Sequence, residues 1–288
     1  MRGKTAHYFL SKSNSKSYNI LGTFLSAFLE EFNMADVLKL QNISKIYHTS
    51  EGETQALENI SFSAGENEFI SIIGPSGCGK STILSIIAGL VKKTDGSIFI
   101  CGKEVEDKVH SSLGYMLQQD HLFPWLTVRE NAYLGLEIQK KKTKENLEYV
   151  DGLLKQYGLE KFLNAYPRQL SGGMRQRAAL IRTLALKPSI LLLDEPFSAL
   201  DYQTRLFVSD DIHSIIKKTK KTAILVTHDI SEAISMSDRV IVLTKRPAKI
   251  KRIHKITLSG KQNPISRRKA PEFSGYFQTL WEELNEDE

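Results

Sequence analysis

Disulfide bridges have little to work with in this sequence. Its only cysteines, Cys78 and Cys101, cannot build a disulfide framework, and such sparse usage points to a reducing compartment. Long hydrophobic runs are missing too: no stretch approaches the roughly 20 consecutive apolar residues that a helix needs to cross a bilayer. The polypeptide is therefore not expected to span a membrane by itself. It lacks a dominant charge of either sign, because 39 Lys and Arg face 33 acidic residues for a net charge of +6. That modest excess suits nucleic acid, an anionic membrane face or a polyphosphate ligand equally well and selects none of them. No internal repeat is visible.

What is there is a globular composition, 41% hydrophobic and 25% charged over 288 residues, enough for one large domain or two small ones. The first 33 residues differ from the rest. "MRGKTAHYFLSKSNSKSYN" is basic and Ser-rich, and "ILGTFLSAFLEEFN" repeats apolar residues at helical spacing. Glu30 and Glu31 interrupt that apolar run, which argues against a secretory signal. A membrane-surface or partner-binding helix is a second reading. The favoured one places the natural start at Met34 and treats 1–33 as a disordered or non-native extension.

From residue 37 to about 63, "VLKLQNISKIY" and "ALENISFSAG" alternate polar and apolar residues around the loop "HTSEGETQ", which predicts antiparallel sheet. "EFISIIGPSGCGKSTILSIIAGL" reads as a buried strand, a Gly-rich loop and a helix. "GSIFICGKEV" and "SLGYMLQ" predict further short strands. Between about 125 and 167 the pattern turns helical and charged, with Leu147, Val150, Leu153 and Leu154 on one face, which predicts a helical subdomain over about 120–180. "SILLLDEP" and "TAILVTHD" are continuous apolar runs, the pattern of strands buried on both faces of a parallel sheet. "RVIVLTK" is one more strand, and 246–288 reads as a tail with a short strand and a terminal helix. The expected fold class is α/β, a mixed sheet core carrying an antiparallel β subdomain and an α-helical subdomain.

"GPSGCGKS" (74–81) matches the phosphate-loop pattern G-x-x-x-x-G-K-[ST] between a strand and a helix, where that motif works. Its glycines let successive N–H groups point inward at phosphate oxygens, and the helix beginning near Lys80 adds its positive dipole end. Lys80 should reach the β- and γ-phosphates and the Ser81 hydroxyl should bind Mg²⁺. Downstream, "ILLLDEP" ends a hydrophobic strand in Asp194, positioned for the metal, with Glu195 beside it as candidate base for an attacking water. Cys78, close to Lys80 and a helix start, is expected to have a lowered pKa, to react with maleimides and to be protected by ATP.

"LSGGMRQR" (170–177) decides the class. It resembles the signature of ATP-binding cassette (ABC) ATPases, P-loop NTPases whose other motifs occur in order over residues 37 to about 245: Gln118, "SALD" (198–201) and His228. Ser171, Gly172 and Gly173 open a helix, whose free N–H groups make a second anion site. The resemblance implies a head-to-tail dimer of two copies, each ATP clamped between the phosphate loop of one and the signature of the other. It also implies the roles of single residues. Tyr47 stacks on adenine, and the loop from Gly74 through Pro75, Ser76, Gly77, Cys78, Gly79, Lys80 and Ser81 to Thr82 holds the nucleotide. Mg²⁺ is held by Ser81, Gln118 and Asp194. Glu195 polarises the water, His228 contacts the γ-phosphate, and Asp201 acts across the dimer interface.

Two classes remain: a transporter motor pairing with a separate permease, or a soluble ABC ATPase acting on ribosomes or DNA. The soluble members usually carry two cassettes or long coiled coils, and this chain carries neither. The importer motor is the leading reading, peripheral at the cytoplasmic face of the membrane, with no nucleic-acid partner expected. "LFPWLTVREN" resembles the "LLPWLTV" segment of the nitrate, sulfonate and taurine importer family, in the region that receives a short permease helix, and "PEFSGYFQTLWEEL" resembles that family's tail. The tail is shorter than the β-barrel regulatory domain of sugar-importer ATPases. Such a motor also implies an extracytoplasmic solute-binding protein. Trp125 is read as an exposed contact for the permease, against a competing reading as core.

Overall fold

The computed structural model describes residues 36–50, 52–260 and 263–286. The expectations for the first 33 residues lie outside these. Two sheets organise the described chain. The first contains β1 (Asp36–Thr49), β2 (Gly52–Gly65), β4 (Asp95–Ile100) and β5 (Lys103–Val105) in the order β2-β1-β4-β5. β1 and β2 are longer than the alternation predicts. They run almost to the turn, so most of "HTSEGETQ" is strand rather than loop.

The second sheet has the order β10-β9-β3-β8-β7-β6, formed by β3 (Phe69–Ile73), β6 (Leu113–Met116), β7 (Ile190–Asp194), β8 (Thr222–Val226), β9 (Arg239–Leu243) and β10 (Ile250–Lys255). Pairing is parallel from β9 through β6, and β10 closes one edge antiparallel to β9. Every residue of β3, β7 and β8 is buried. The continuous apolar runs thus have the physical cause expected of them, because both sheet faces are covered.

Successive side chains of a strand face opposite ways, so one run feeds two cores. Leu191 and Leu193 of β7 join the core shared with helices α2 (Val128–Ile138), α3 (Lys144–Gln156), α4 (Gly172–Leu184) and α5 (Tyr202–Lys218). Ile190 and Leu192 face the other way, onto the antiparallel sheet and helix α1 (Lys80–Ile87). A third core holds the tail. Leu280 of α8 (Phe273–Asn285) packs with Val240 and Val242 of β9 and with Ala233 and Ile234 of α6 (Ile230–Met236). Arg267, in the short α7 (Pro264–Arg267), donates to the carbonyls of Ile234 and Ser237 and ties the tail down.

The helical subdomain expected near 120–180 is present as α2, α3 and α4. Each starts where a side-chain oxygen meets a free backbone N–H: Thr127 and Glu130 form a capping box on α2, Thr143 caps α3 and Ser171 caps α4. Ahead of α2, the fully buried Asn131 shapes the segment 122–127. Its amide donates to the carbonyls of Phe123, Leu126 and Thr127 at 3.0–3.1 Å, and its oxygen accepts from the Phe123 N–H at 2.8 Å. Replacing it with alanine strips partners from part-buried carbonyls, at a cost of about 2 kcal/mol. Urea unfolding of Asn131→Ala should show that loss, with faster hydrogen exchange confined at first to residues 122–127.

Candidate active site

The parallel strands set the site by ending together. Ile72 of β3 lies opposite Val226 of β8, and Val226 opposite Asp194 of β7. The residues that follow β3, β7 and β8, and those after β6, therefore emerge at one edge of the sheet, where open α/β sheets bind ligands.

After β3 the chain turns through the phosphate loop. Gly77 and Gly79 have φ of 72° and 127°, backbone that side-chain-bearing residues avoid. A Cβ at Gly79 would also stand 2.7 Å from Cδ2 of Leu57. Gly79 is the residue ahead of α1, which starts with no side-chain cap and no acidic residue in its first turn. Its first N–H groups are thereby left to an anion. A cavity of about 240 Å³ opens there, lined by Ser76, Gly77, Gly79, Lys80, Ser81, Thr82, Glu195 and Arg246. The Lys80 ammonium is buried and donates to the carbonyls of Gly74 (2.8 Å) and Pro75 (3.0 Å).

Across the cavity stands the acidic pair. Asp194 ends β7, accepting from the Ser81 hydroxyl at 2.9 Å and from the Tyr115 hydroxyl at 3.2 Å. Burial pushes its carboxyl above the usual range, against the opposing pull of those hydroxyls, and burial likewise drives the Tyr115 phenol up to about 12. Glu195 has φ of +43°, a left-handed conformation that costs a non-glycine residue energy. Its backbone is held in that state from both sides. Its N–H donates to the Val226 carbonyl at 2.9 Å, and its carbonyl accepts from the Ser198 hydroxyl at 3.0 Å. One carboxylate oxygen of Glu195 gathers two further residues, with Gln118 Nε2 at 3.4 Å and His228 Nδ1 at 3.2 Å. Gln118, Glu195 and His228, far apart in sequence, thus meet at one oxygen.

Other expected residues stand elsewhere. Tyr47 is exposed, with the Lys45 ammonium 4.8 Å over its ring, and does not line the cavity. Ser171, Gly172 and Gly173 do not line it either. Ser171 caps α4 by accepting from the Met174 N–H. The two glycines serve close packing: a Cβ at Gly172 would lie 2.8 Å from Cδ2 of Leu200, and one at Gly173 only 2.6 Å from Cγ2 of Val208. Asp201 caps α5 through the Thr204 N–H. Residues to which the motifs assign no role also contribute. Arg246, after β9, donates to the Gly77 carbonyl at 2.7 Å. Arg175 and Arg182 of α4 hold the segment after Gln118, donating to the Asp120 carboxylate (3.0 Å) and to the carbonyls of His121 (2.6 Å) and Asp120 (2.8 Å).

Cys78 corrects an expectation. Its side chain is buried in the core beside Gly74 and packs with the apolar cluster under the antiparallel sheet. Desolvation raises the thiol above its ordinary value and outweighs the lowering by Lys80. It is therefore a core thiol, not a reactive one. Maleimide labelling of the folded chain followed by peptide mapping should modify the exposed Cys101 and reach Cys78 only after denaturation. Labelling of Cys78 in the native protein, sensitive to ATP, would restore the opposite view.

Comparison with known proteins agrees with this geometry. The family model described as ABC transporter matches residues 57–198. The chain is 48% identical over 249 residues to the "Uncharacterized ABC transporter ATP-binding protein YtlC" of Bacillus subtilis, covering 86% of this chain and 95% of the relative. It is 40% identical over 230 residues to the aliphatic sulfonates import ATP-binding protein SsuB of Bacillus thuringiensis, covering 80% and 90%. Among solved structures, a dimeric post-hydrolysis state of the ATP-binding cassette MJ0796 bound to ADP and Pi superposes with a TM-score of 0.65 at 35% identity, over 76% of this chain and 99% of that one. Phosphate loop, acidic pair and signature helix occur together on the cassette fold, and the chain accordingly belongs to the ABC transporter family, as one of its ATP-binding and ATP-hydrolysing proteins.

Proposed function

We propose that this ATPase drives import of a small solute of the nitrate, sulfonate or taurine kind through a separate permease, working as a head-to-tail dimer on the cytoplasmic face of the membrane. The observation that carries the transport reading is Trp125, which is 68% exposed with Phe123 beside it, ring centroids 5.2 Å apart. An exposed aromatic pair on a segment held by buried hydrogen bonds is a surface built for protein contact. Among the described residues no helix is long and apolar enough to cross a membrane; in this reading the separate permease supplies the path. The importer named among the relatives supports the solute class. An extracytoplasmic binding protein would choose the solute.

In this reading the N–H groups ahead of α1 and the Lys80 ammonium hold the phosphates. Lys80 exchanges its carbonyl partners at Gly74 and Pro75 for phosphate oxygens. Ser81 and Asp194 fit a Mg²⁺ site, with the Ser81 hydroxyl and one Asp194 carboxylate oxygen 2.9 Å apart beside the phosphate loop. That is the donor set of a cation that takes one carboxylate and completes its shell with phosphate oxygens and water. Bound there, the ion would neutralise charge on the phosphates. Glu195 orients the attacking water, and Gln118 and His228, both on its carboxylate, align it with the γ-phosphate. The signature N–H groups of a second copy complete the site, and Tyr47 would stack on adenine from the strand end.

Glu195→Gln should lower ATP turnover about a hundredfold or more while ATP still binds, read by phosphate release and a nucleotide-binding titration. Normal turnover would reject the catalytic assignment. Asp194→Asn separates chemistry from stability. A raised carboxyl pKa means that the ionised form costs stability as pH rises above its unfolded value, so removing the charge should leave the melting temperature at neutral pH unchanged or higher. ATPase activity should still collapse. Trp125→Ala should keep the fold and nucleotide affinity but abolish stimulation of ATPase by a reconstituted permease with loaded binding protein. Stimulation by ribosomes or DNA instead would favour the soluble class.

A further inference from the structure

Arg205, on the first turns of α5, plays no part in the motifs, yet it bridges two of them. Its Nη2 donates to the Leu200 carbonyl at 3.0 Å, in the segment that ends in Asp201. Its Nη1 lies 3.6 Å from Oδ2 of Asp229 and its Nε 3.8 Å from Oε1 of Glu232. Asp229 follows His228 directly and caps α6 through the Glu232 N–H at 3.0 Å. Glu232, only 3% exposed, accepts from the Thr227 hydroxyl at 2.7 Å, and that hydroxyl accepts from the Asp229 N–H at 3.0 Å. His228 is thus the exposed middle residue of a turn whose two flanking residues are held, directly or through Glu232, by one guanidinium. Leu200 in turn is the side chain that a Cβ on Gly172 would strike.

We propose that Arg205 is a positioning residue for hydrolysis, which fixes the turn carrying His228 to the segment carrying Asp201 and to the signature helix. The inference rests on the assignment of His228 made above. Burial pushes Glu232 up to about 7 and Asp229 pushes the same way, while the Thr227 hydroxyl, Arg205 and Arg268 oppose them. Arg205 is the one of these groups that also touches Leu200. Its planar fork offers separated N–H donors to a carbonyl and two carboxylates, where a lysine ammonium gathers its three donors at one point. A displacement of the Asp201 segment therefore reaches His228 through the Arg205 side chain, by the Leu200 hydrogen bond on one side and the longer ion pairs with Asp229 and Glu232 on the other.

The test uses the full chain and steady-state and single-turnover ATP hydrolysis. Arg205→Ala should lower kcat about tenfold or more with ATP affinity within about twofold, and Arg205→Lys should recover part of the loss. Glu232→Gln, which keeps an acceptor for Thr227 but removes the ion pair, should lower kcat in the same direction. The decisive arm is the double variant Arg205→Ala with His228→Ala, which should be no slower than His228→Ala alone, since both act at one place. Multiplying losses, or an Arg205→Ala protein with normal kcat, would overturn the proposal. So would a fall in ATP affinity and melting temperature that Arg205→Lys does not relieve, because that marks a purely structural arginine. A His228→Ala protein with unchanged kcat would instead remove the role of His228, and the inference with it; a slow His228→Ala beside a normal Arg205→Ala would remove the inference alone.

Discussion

Parallel pairing of β3, β8, β7 and β6 is the constraint from which the site follows. In a parallel sheet all strands leave the core at the same edge, and the register here sets Ile72, Val226 and Asp194 level with one another. One edge therefore receives the phosphate loop, the acidic pair, Thr227 with His228, and Gln118, from four separate stretches of sequence. β3, β7 and β8 are buried throughout, and their few polar side chains, Ser71, Thr222 and Asp194, each have a hydrogen-bond partner. The other polar residues of the site lie just past the strand ends.

That edge is built against local stability. Lys80 carries its charge almost out of solvent, Asp194 is buried enough to raise its pKa, and Glu195 holds a left-handed backbone. Each of these costs energy in isolation, and each is tied by named contacts: two loop carbonyls for Lys80, two hydroxyls for Asp194, the Val226 and Ser198 hydrogen bonds for Glu195. Strain held by its surroundings in this way is what a preorganised hydrolytic site requires.

The sequence was most legible where function depends on short-range pattern. Continuous apolar runs gave the parallel strands, and G-x-x-x-x-G-K-S between strand and helix located the cavity that the structure contains. The convergence of Gln118, Glu195 and His228 was legible only through resemblance, since their spacing in the chain says nothing of a shared oxygen. Burial was the blind spot. Cys78 reads as reactive because Lys80 and a helix start are its sequence neighbours, but its spatial neighbours are the core, and desolvation wins. Gly172 and Gly173 read as an anion site through their N–H groups, and nothing local revealed that Leu200 and Val208 also leave no room there for a Cβ, which is a separate demand for glycine. Arg182 and Arg246 reach carbonyls far away in sequence and Arg205 reaches one five residues back, and no motif could announce them.

Those arginines bear on how a contact at Trp125 could matter to chemistry. The segment from Asp120 to Leu126 is fastened to α4 by Arg175 and Arg182 and to α2 by Asn131. Moving it without α4 means breaking charge-assisted hydrogen bonds from both arginines, which are among the stronger polar contacts a protein makes. Moving α4 without α5 means opening the contacts at Gly172 and Gly173, where the backbone already sits against Leu200 and Val208. The path of least cost is for the aromatic pair, the signature helix and the start of α5 to shift together. Gln118, itself at the Glu195 carboxylate, lies just before that body, and Arg205 on α5 reaches Asp229, the chain neighbour of His228.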